Sequence, residues 1–151
     1  MSDKEITKHF VVKSVYGALE EPRQWLLSQL RQYDYSENDI FAIHLALEEA
    51  FYNAIKHGNE LNSDEKVRMD YVIQPEQVRI LMTDEGPGFN PENVPDCRVG
   101  ENLYKTEGRG ILLMKSYMDE VRYNETGNSV EMIRYRHPDE SLAPKEKVPK
   151  R

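Results

Sequence analysis

Glu49, Asn53 and His57 stand four residues apart within EEAFYNAIKHGNE, the run from Glu48 to Glu60. On a helix that spacing stacks them along one row. Ala42 and Ala46 lie on the same row in the preceding turns, and Lys56 sits beside it. A carboxylate, a carboxamide and an imidazole stacked beside small residues suggest a floor with room for a ligand. Taken alone, the helix is better read as an amphipathic element whose polar face is simply solvated. Two further stretches carry chemistry. DEGPGF, Asp84 to Phe89, puts a carboxylate at a strand end, where it can accept a hydrogen bond from a ligand amino group. Gly86 and Gly88 behind it let the backbone approach closely. As an ordinary turn, the same residues would also be unsurprising. EGRG, Glu107 to Gly110, opens an apolar helix, where exposed backbone N–H groups and the helix dipole favour an anion.

The elements that must hold these stretches are legible from periodicity. Ile40, Ile43, Leu47, Ala50, Phe51 and Ala54 form one apolar stripe at helical spacing. This predicts a helix from a Ser36 N-cap, with Asp39 three residues on, to about His57, capped by Gly58. An earlier helix starts at Glu20, Glu21 and Pro22, since acids and proline suit a first turn, and continues through Leu26 and Leu30 to Tyr33. A third helix covers Ile111 to Met118. Strands are predicted at Thr7 to Val15, Val67 to Ile73, Val78 to Thr83, Asp119 to Glu125 and Ser129 to Arg136. Gln74 to Gln77 and Thr126 to Asn128 are hairpin connections, and Asn59 to Asp64 is turn-like. Asn90 to Glu107 has no periodicity. A stretch that long inside a compact domain is usually functional or disordered, and here it suits a lid over phosphates.

Composition removes several classes. At 151 residues the natural count is one domain, spanning 1–137, with 138–151 a flexible charged tail. The net charge of −7, with no basic cluster in the body, argues against a nucleic-acid backbone binder. No apolar run approaches a membrane span, and the polar N-terminus lacks a signal-peptide core. With the single Cys97, this suggests a cytoplasmic protein. There is no P-loop, no zinc-ligand spacing and no nucleophile motif.

The order of the pieces is more specific than any one of them. A helix bearing Glu49-x3-Asn53-x3-His57-Gly58, a strand ending in Asp84-x-Gly86-x-Gly88, and a long loop closing in Gly108-x-Gly110 before a helix resemble the GHKL ATPase superfamily of gyrase, histidine kinase and MutL type. The detail, above all GRGILLMKSYMDEV, is most similar to the bacterial anti-sigma factor serine kinases of RsbW and SpoIIAB type. The resemblance spans about Phe10 to Tyr135. It implies the Bergerat fold: an α/β (α+β) two-layer sandwich with a mixed, mainly antiparallel sheet of about five strands, three helices on one face and a long ATP lid. It implies ATP and Mg²⁺ as cofactors. Asn53 then binds the metal, Glu49 is the catalytic general base, and Glu48, about 100° round the helix, is a surface residue. Asp84 reads adenine beside Gly86 and Gly88. Lys105, Gly108, Arg109 and Gly110 meet the phosphates. His57 is a structural cap. The late strand departs from the family's usual Gly-Thr-Thr-Val: it reads Gly127-Asn128-Ser129-Val130, with Asn128 in the place of a threonine that helps hold a water near adenine.

The function so implied is a protein serine/threonine kinase that phosphorylates an STAS-domain anti-anti-sigma protein. The same protein sequesters a sigma factor or other regulator, as a homodimer, with no nucleic-acid or membrane partner. The alternative is a non-catalytic switch that uses ATP only to set conformation, for which a carboxylate at Glu49 is unnecessary.

Overall fold

The computed structural model describes residues 5–59, 62, 64–86, 114–125 and 127–137. Five strands form one sheet in the order β1-β2-β3-β5-β4: β1 Ile6–Lys13, β2 Lys66–Ile73, β3 Gln77–Asp84, β4 Glu120–Tyr123 and β5 Ser129–Tyr135. Each of the four described pairings is antiparallel, so the described sheet is not mixed. β1 ends at Lys13 rather than Val15, because the chain turns into a 3-10 segment at Tyr16–Leu19 that contains Gly17.

Burial alternates along β2 and β3 as it must when one sheet face is covered. Val67, Met69, Tyr71 and Ile73 point inward, as do Val78, Ile80 and Met82. The next inward position on β3 is Asp84, so the strand's own period carries a carboxylate into the core layer. Helices α1 Glu20–Gln32 and α2 Glu37–Asn53 cover that face with Leu26, Leu30, Ile43, Leu47 and Phe51. Trp25 stacks on Tyr71 with centroids 6.0 Å apart, and Phe10 meets both rings edge-on. Residues 114–117 are helical and bury Met114 in the same core; 111–113 lie outside the described residues.

Both helices have their ends defined by polar groups. The Ser36 side chain accepts the Asp39 N–H at 3.0 Å, which is an N-cap. α1 stops in a Schellman arrangement: Asp34 N bonds Arg31 O and Tyr35 N bonds Leu30 O, both at 3.0 Å. Asp34 takes the left-handed position at φ 62°, which aspartate tolerates better than most residues. Arg136 donates to Tyr33 O and Asp34 O, placing a cation at the negative end of α1.

α2 does not end as the glycine suggested. It widens into a π turn over Ala54–Gly58, closed by Asn59 N donating to Ala54 O at 2.8 Å. Gly58 is therefore inside the turn, and Asn59 is the C-cap, with αR backbone angles. The regular helical spacing assumed for the step from Asn53 to His57 therefore gives way to a π turn.

At the other end of α2, Asp39 is fully buried and holds three groups. Arg134 Nε donates to it at 2.8 Å, His137 N donates at 2.9 Å, and His137 Nδ1 lies 3.0 Å away. Residues 138–151 lie outside the described residues. Asp39→Ala leaves the mostly buried Arg134 charge unpaired, which costs on the order of 3–5 kcal/mol. A urea titration should show the midpoint falling accordingly; a change within about 0.5 kcal/mol, as for an ordinary surface site, would contradict this.

Candidate functional site

Asn53 closes α2, and its side chain turns toward the sheet, not toward the solvent. It is 3% exposed, and neither Oδ1 nor Nδ2 has a hydrogen-bond partner among the described residues. Buried carboxamides are ordinarily bonded, so two open atoms on one side chain mark a place prepared for something else. They face a cleft, open to solvent, between the end of α2 and the ends of β3, β4 and β5. Asp84, Asn128 and Tyr123 line it with Asn53. Its roominess comes from Ala50 and Ala54, placed by sequence on the apolar stripe. Ala42 and Ala46, the small residues expected to make that room, are instead packed away at 3% and 1% exposure.

Asp84 sits 6% exposed at the last inward position of β3. Its Oδ1 accepts the Gly86 N–H at 2.9 Å, which turns the chain back over the carboxylate. Burial pushes the Asp84 carboxyl up to about 6; the Gly86 N–H opposes this, and Glu65 adds to it. Glu49 stands one turn before Asn53 and is half-buried, but it is not part of the cleft wall. Burial raises its carboxyl above the usual range, with neighbouring Glu48 adding to the effect. Glu48 itself lies on the outside, its side chain 42% exposed, 2.8 Å from His44 and 3.7 Å from Arg23.

Asn128 is tied to Asp84 by backbone and side chain. Its carbonyl accepts Asp84 N at 2.9 Å, and its Nδ2 reaches Asp84 O at 3.4 Å. Beside it, the Ser129 hydroxyl lies 3.0 Å from that of Thr83. Gly127 makes the preceding turn possible at φ 80°, and the Asn124 side chain accepts from both Gly127 N and Ser129 N. Thus Asn53, Asp84 and Asn128 are brought together, with Gly86 bonded to Asp84 and Glu49 one helical turn before Asn53. Gly88, Lys105, Gly108, Arg109 and Gly110, the expected lid and the His57 side chain lie outside the described residues.

Two residues of this region carry no motif. Tyr123 lines the cleft, and burial, then the Asp84 charge, raises its phenol above the usual range. Its signal was the period of β4, which points Val121 and Tyr123 the same way. Asn59, within the stretch whose composition suggests a turn, is 2% exposed and bonds three segments at once.

The histidine kinase-like ATPase domain family matches residues 13–134. The chain belongs to that family. Within it, an anti-sigma F factor of Clostridium beijerinckii is 30% identical over 140 residues, covering 88% of this chain and 94% of the relative. A serine-protein kinase RsbW of Staphylococcus epidermidis is 32% identical over 108 residues, 66% of this chain and 68% of the relative. These place the chain on the RsbW and SpoIIAB side of the GHKL ATPases. The crystal structure of the RsbU and RsbW domains of a Mycobacterium tuberculosis protein superimposes with a TM-score of 0.60 at 17% identity. That likeness concerns the fold, and it covers 89% of this chain but only 33% of the longer one. Among the described residues, no helix is long and apolar enough to cross a membrane.

The carboxyl of Asp84 gives a pH test. Burial favours its neutral form, so the folded protein keeps a proton that the unfolded chain has lost above its ordinary value of 3.8. The stabilisation is complete below that value and disappears as pH rises to about 6. The difference in unfolding free energy between wild type and Asp84→Asn should therefore fall between these limits and level off above them. Urea titrations at stepped pH check this, and a difference that stays flat or climbs over the interval would contradict it.

Proposed function

We propose that this chain is an ATP-dependent protein serine/threonine kinase and anti-sigma-type regulator. The observation that carries the site assignment is the buried, unbonded carboxamide of Asn53 facing the cleft that Asp84 lines. An ATPase family and relatives named serine-protein kinase and anti-sigma F factor support the class of activity.

The residues suit ATP with Mg²⁺. Bound there, ATP supplies the transferable phosphoryl group and Mg²⁺ offsets its charge. Asn53 would hold the cation through Oδ1; Mg²⁺ takes few protein oxygens and fills its remaining positions with phosphate and water. Asp84 would accept from the exocyclic amine of adenine, its other oxygen already turned to Gly86 N. Asn128, bonded through Asn124, would fix the wall beside the base in place of a threonine. Gly86 and Gly88 would shape that wall. Lys105, Gly108, Arg109 and Gly110 would meet the phosphates. Glu49 would receive the proton of the attacking serine hydroxyl, and partial burial suits it to the task because a carboxyl with a raised pKa is the better base near neutral pH.

The substrate is a serine of an STAS-domain anti-anti-sigma protein, and the regulator held in exchange is a sigma factor or similar protein. The chain works as a cytoplasmic homodimer, with residues 1–137 as the ATP-binding domain and 138–151 as a tail.

Incubation with labelled ATP, Mg²⁺ and STAS-domain proteins should place label on a partner serine. Glu49→Gln should lower that transfer by about 10²-fold or more while ATP still binds. ATP binding without transfer to any STAS protein would favour a conformational switch. Transfer that survives Glu49→Gln would remove Glu49 from the chemistry.

A further inference from the structure

The structure assigns to Asn59 a positioning role: it sets the distance between the metal-binding and base-reading ends of the nucleotide site. This rests on the proposed ATP site and adds a residue that touches neither ATP nor Mg²⁺.

Asn59 is buried at the point where the end of α2 meets the beginnings and ends of three strands. Its Oδ1 accepts the N–H of Glu85 at 2.9 Å, and its Nδ2 donates to Lys66 O at 3.1 Å and to the Ser14 hydroxyl. Lys66 N in turn donates to Glu85 Oε1 at 3.0 Å. Asn59, Lys66 and Glu85 therefore form a closed ring of hydrogen bonds, with Ser14 behind it. On the helix side, Asn59 N donates to Ala54 O at 2.8 Å and so closes the π turn.

The placement of those two backbone partners is what matters. Ala54 directly follows Asn53, and Glu85 directly follows Asp84. One peptide unit on each side separates the clamp from the group expected to hold the cation and from the group expected to read the base. A four-residue helical turn would leave Asn59 elsewhere; the fifth residue of the π turn brings its side chain to the end of β3. π turns of this kind often sit at functional sites. Asn59 offers two donors and an acceptor in fixed relation, a combination that Asp, Ser and Ala lack.

Global weakening of the fold and displacement of Asp84 have different signatures. Loss of folded protein lowers ATP and GTP binding together. Displacement of Asp84 harms ATP selectively, because adenine presents an amine to the carboxylate and guanine presents a carbonyl at the same position. The experiment is calorimetric titration of the full chain with ATP and with GTP, in Mg²⁺, for wild type, Asn59→Ala and Ser14→Ala. The result expected is a preference for ATP in wild type. In Asn59→Ala, ATP affinity should fall about tenfold, as on losing an outer-shell support, and the ATP-to-GTP ratio should narrow. Ser14→Ala should shift the ratio in the same direction by less. Equal losses for both nucleotides, or no loss, in folded Asn59→Ala would overturn the positioning role. Should Asn59→Ala not fold, an unchanged ratio in Ser14→Ala would overturn it instead. A wild type that binds neither nucleotide overturns the ATP site itself, which separates that failure from failure of the clamp.

Discussion

Burying a carboxamide with neither oxygen nor nitrogen bonded costs on the order of 1–3 kcal/mol, and Asn53 is held in that condition. A free helix end would relieve the cost by swinging the side chain into water. Here it is prevented on every side. The apolar stripe of α2 is fully buried through Ile43 and Leu47, which fixes the helix rotation. The Ser36 cap and the Asp39 cluster fix its beginning. The π turn and Asn59 fix its end. A buried polar group left unpaired by the surrounding fold needs an explanation of its own, and a bound ligand would supply one.

The sheet meets this helix with a complementary constraint. An inward period of two would normally end β3 in another apolar residue. Asp84 occupies that place, so desolvation acts on a carboxylate that the Gly86 N–H partly relieves. Two under-satisfied polar groups, one from each layer, thus face the same cleft. Hydrophobic packing holds the layers together, and the polar cost is concentrated where a ligand can remove it.

Much of this was legible in the sequence, for identifiable reasons. The stripe from Ile40 to Ala54 named α2, because a buried helix writes its rotation into its apolar residues. The alternation from Val67 to Thr83 named β2 and β3, and the gap of four between Glu49 and Asn53 survived intact because it lies within regular α-helix. The regular helix assumed for the next step, to His57, is replaced by a π turn, since a one-residue widening leaves no compositional trace. Gly58 pointed to a C-cap for the ordinary statistical reason, and the π turn overrode it. Asn59 was lost among polar turn residues: its partners lie 26 and 45 residues away and are in part backbone atoms, which no spacing pattern records. Asp39 looked like half of a weak capping box, while its Arg134 partner, 95 residues on, reaches it only through β5.

Asn53 is proposed as a ligand kept ready for a cation that arrives with nucleotide. The direct measurement is calorimetric titration of ATP with and without Mg²⁺, in wild type and in Asn53→Ala. Mg²⁺ should tighten ATP binding in wild type, and this gain should disappear in the variant. An equal Mg²⁺ gain in both proteins, or none in wild type, would contradict it.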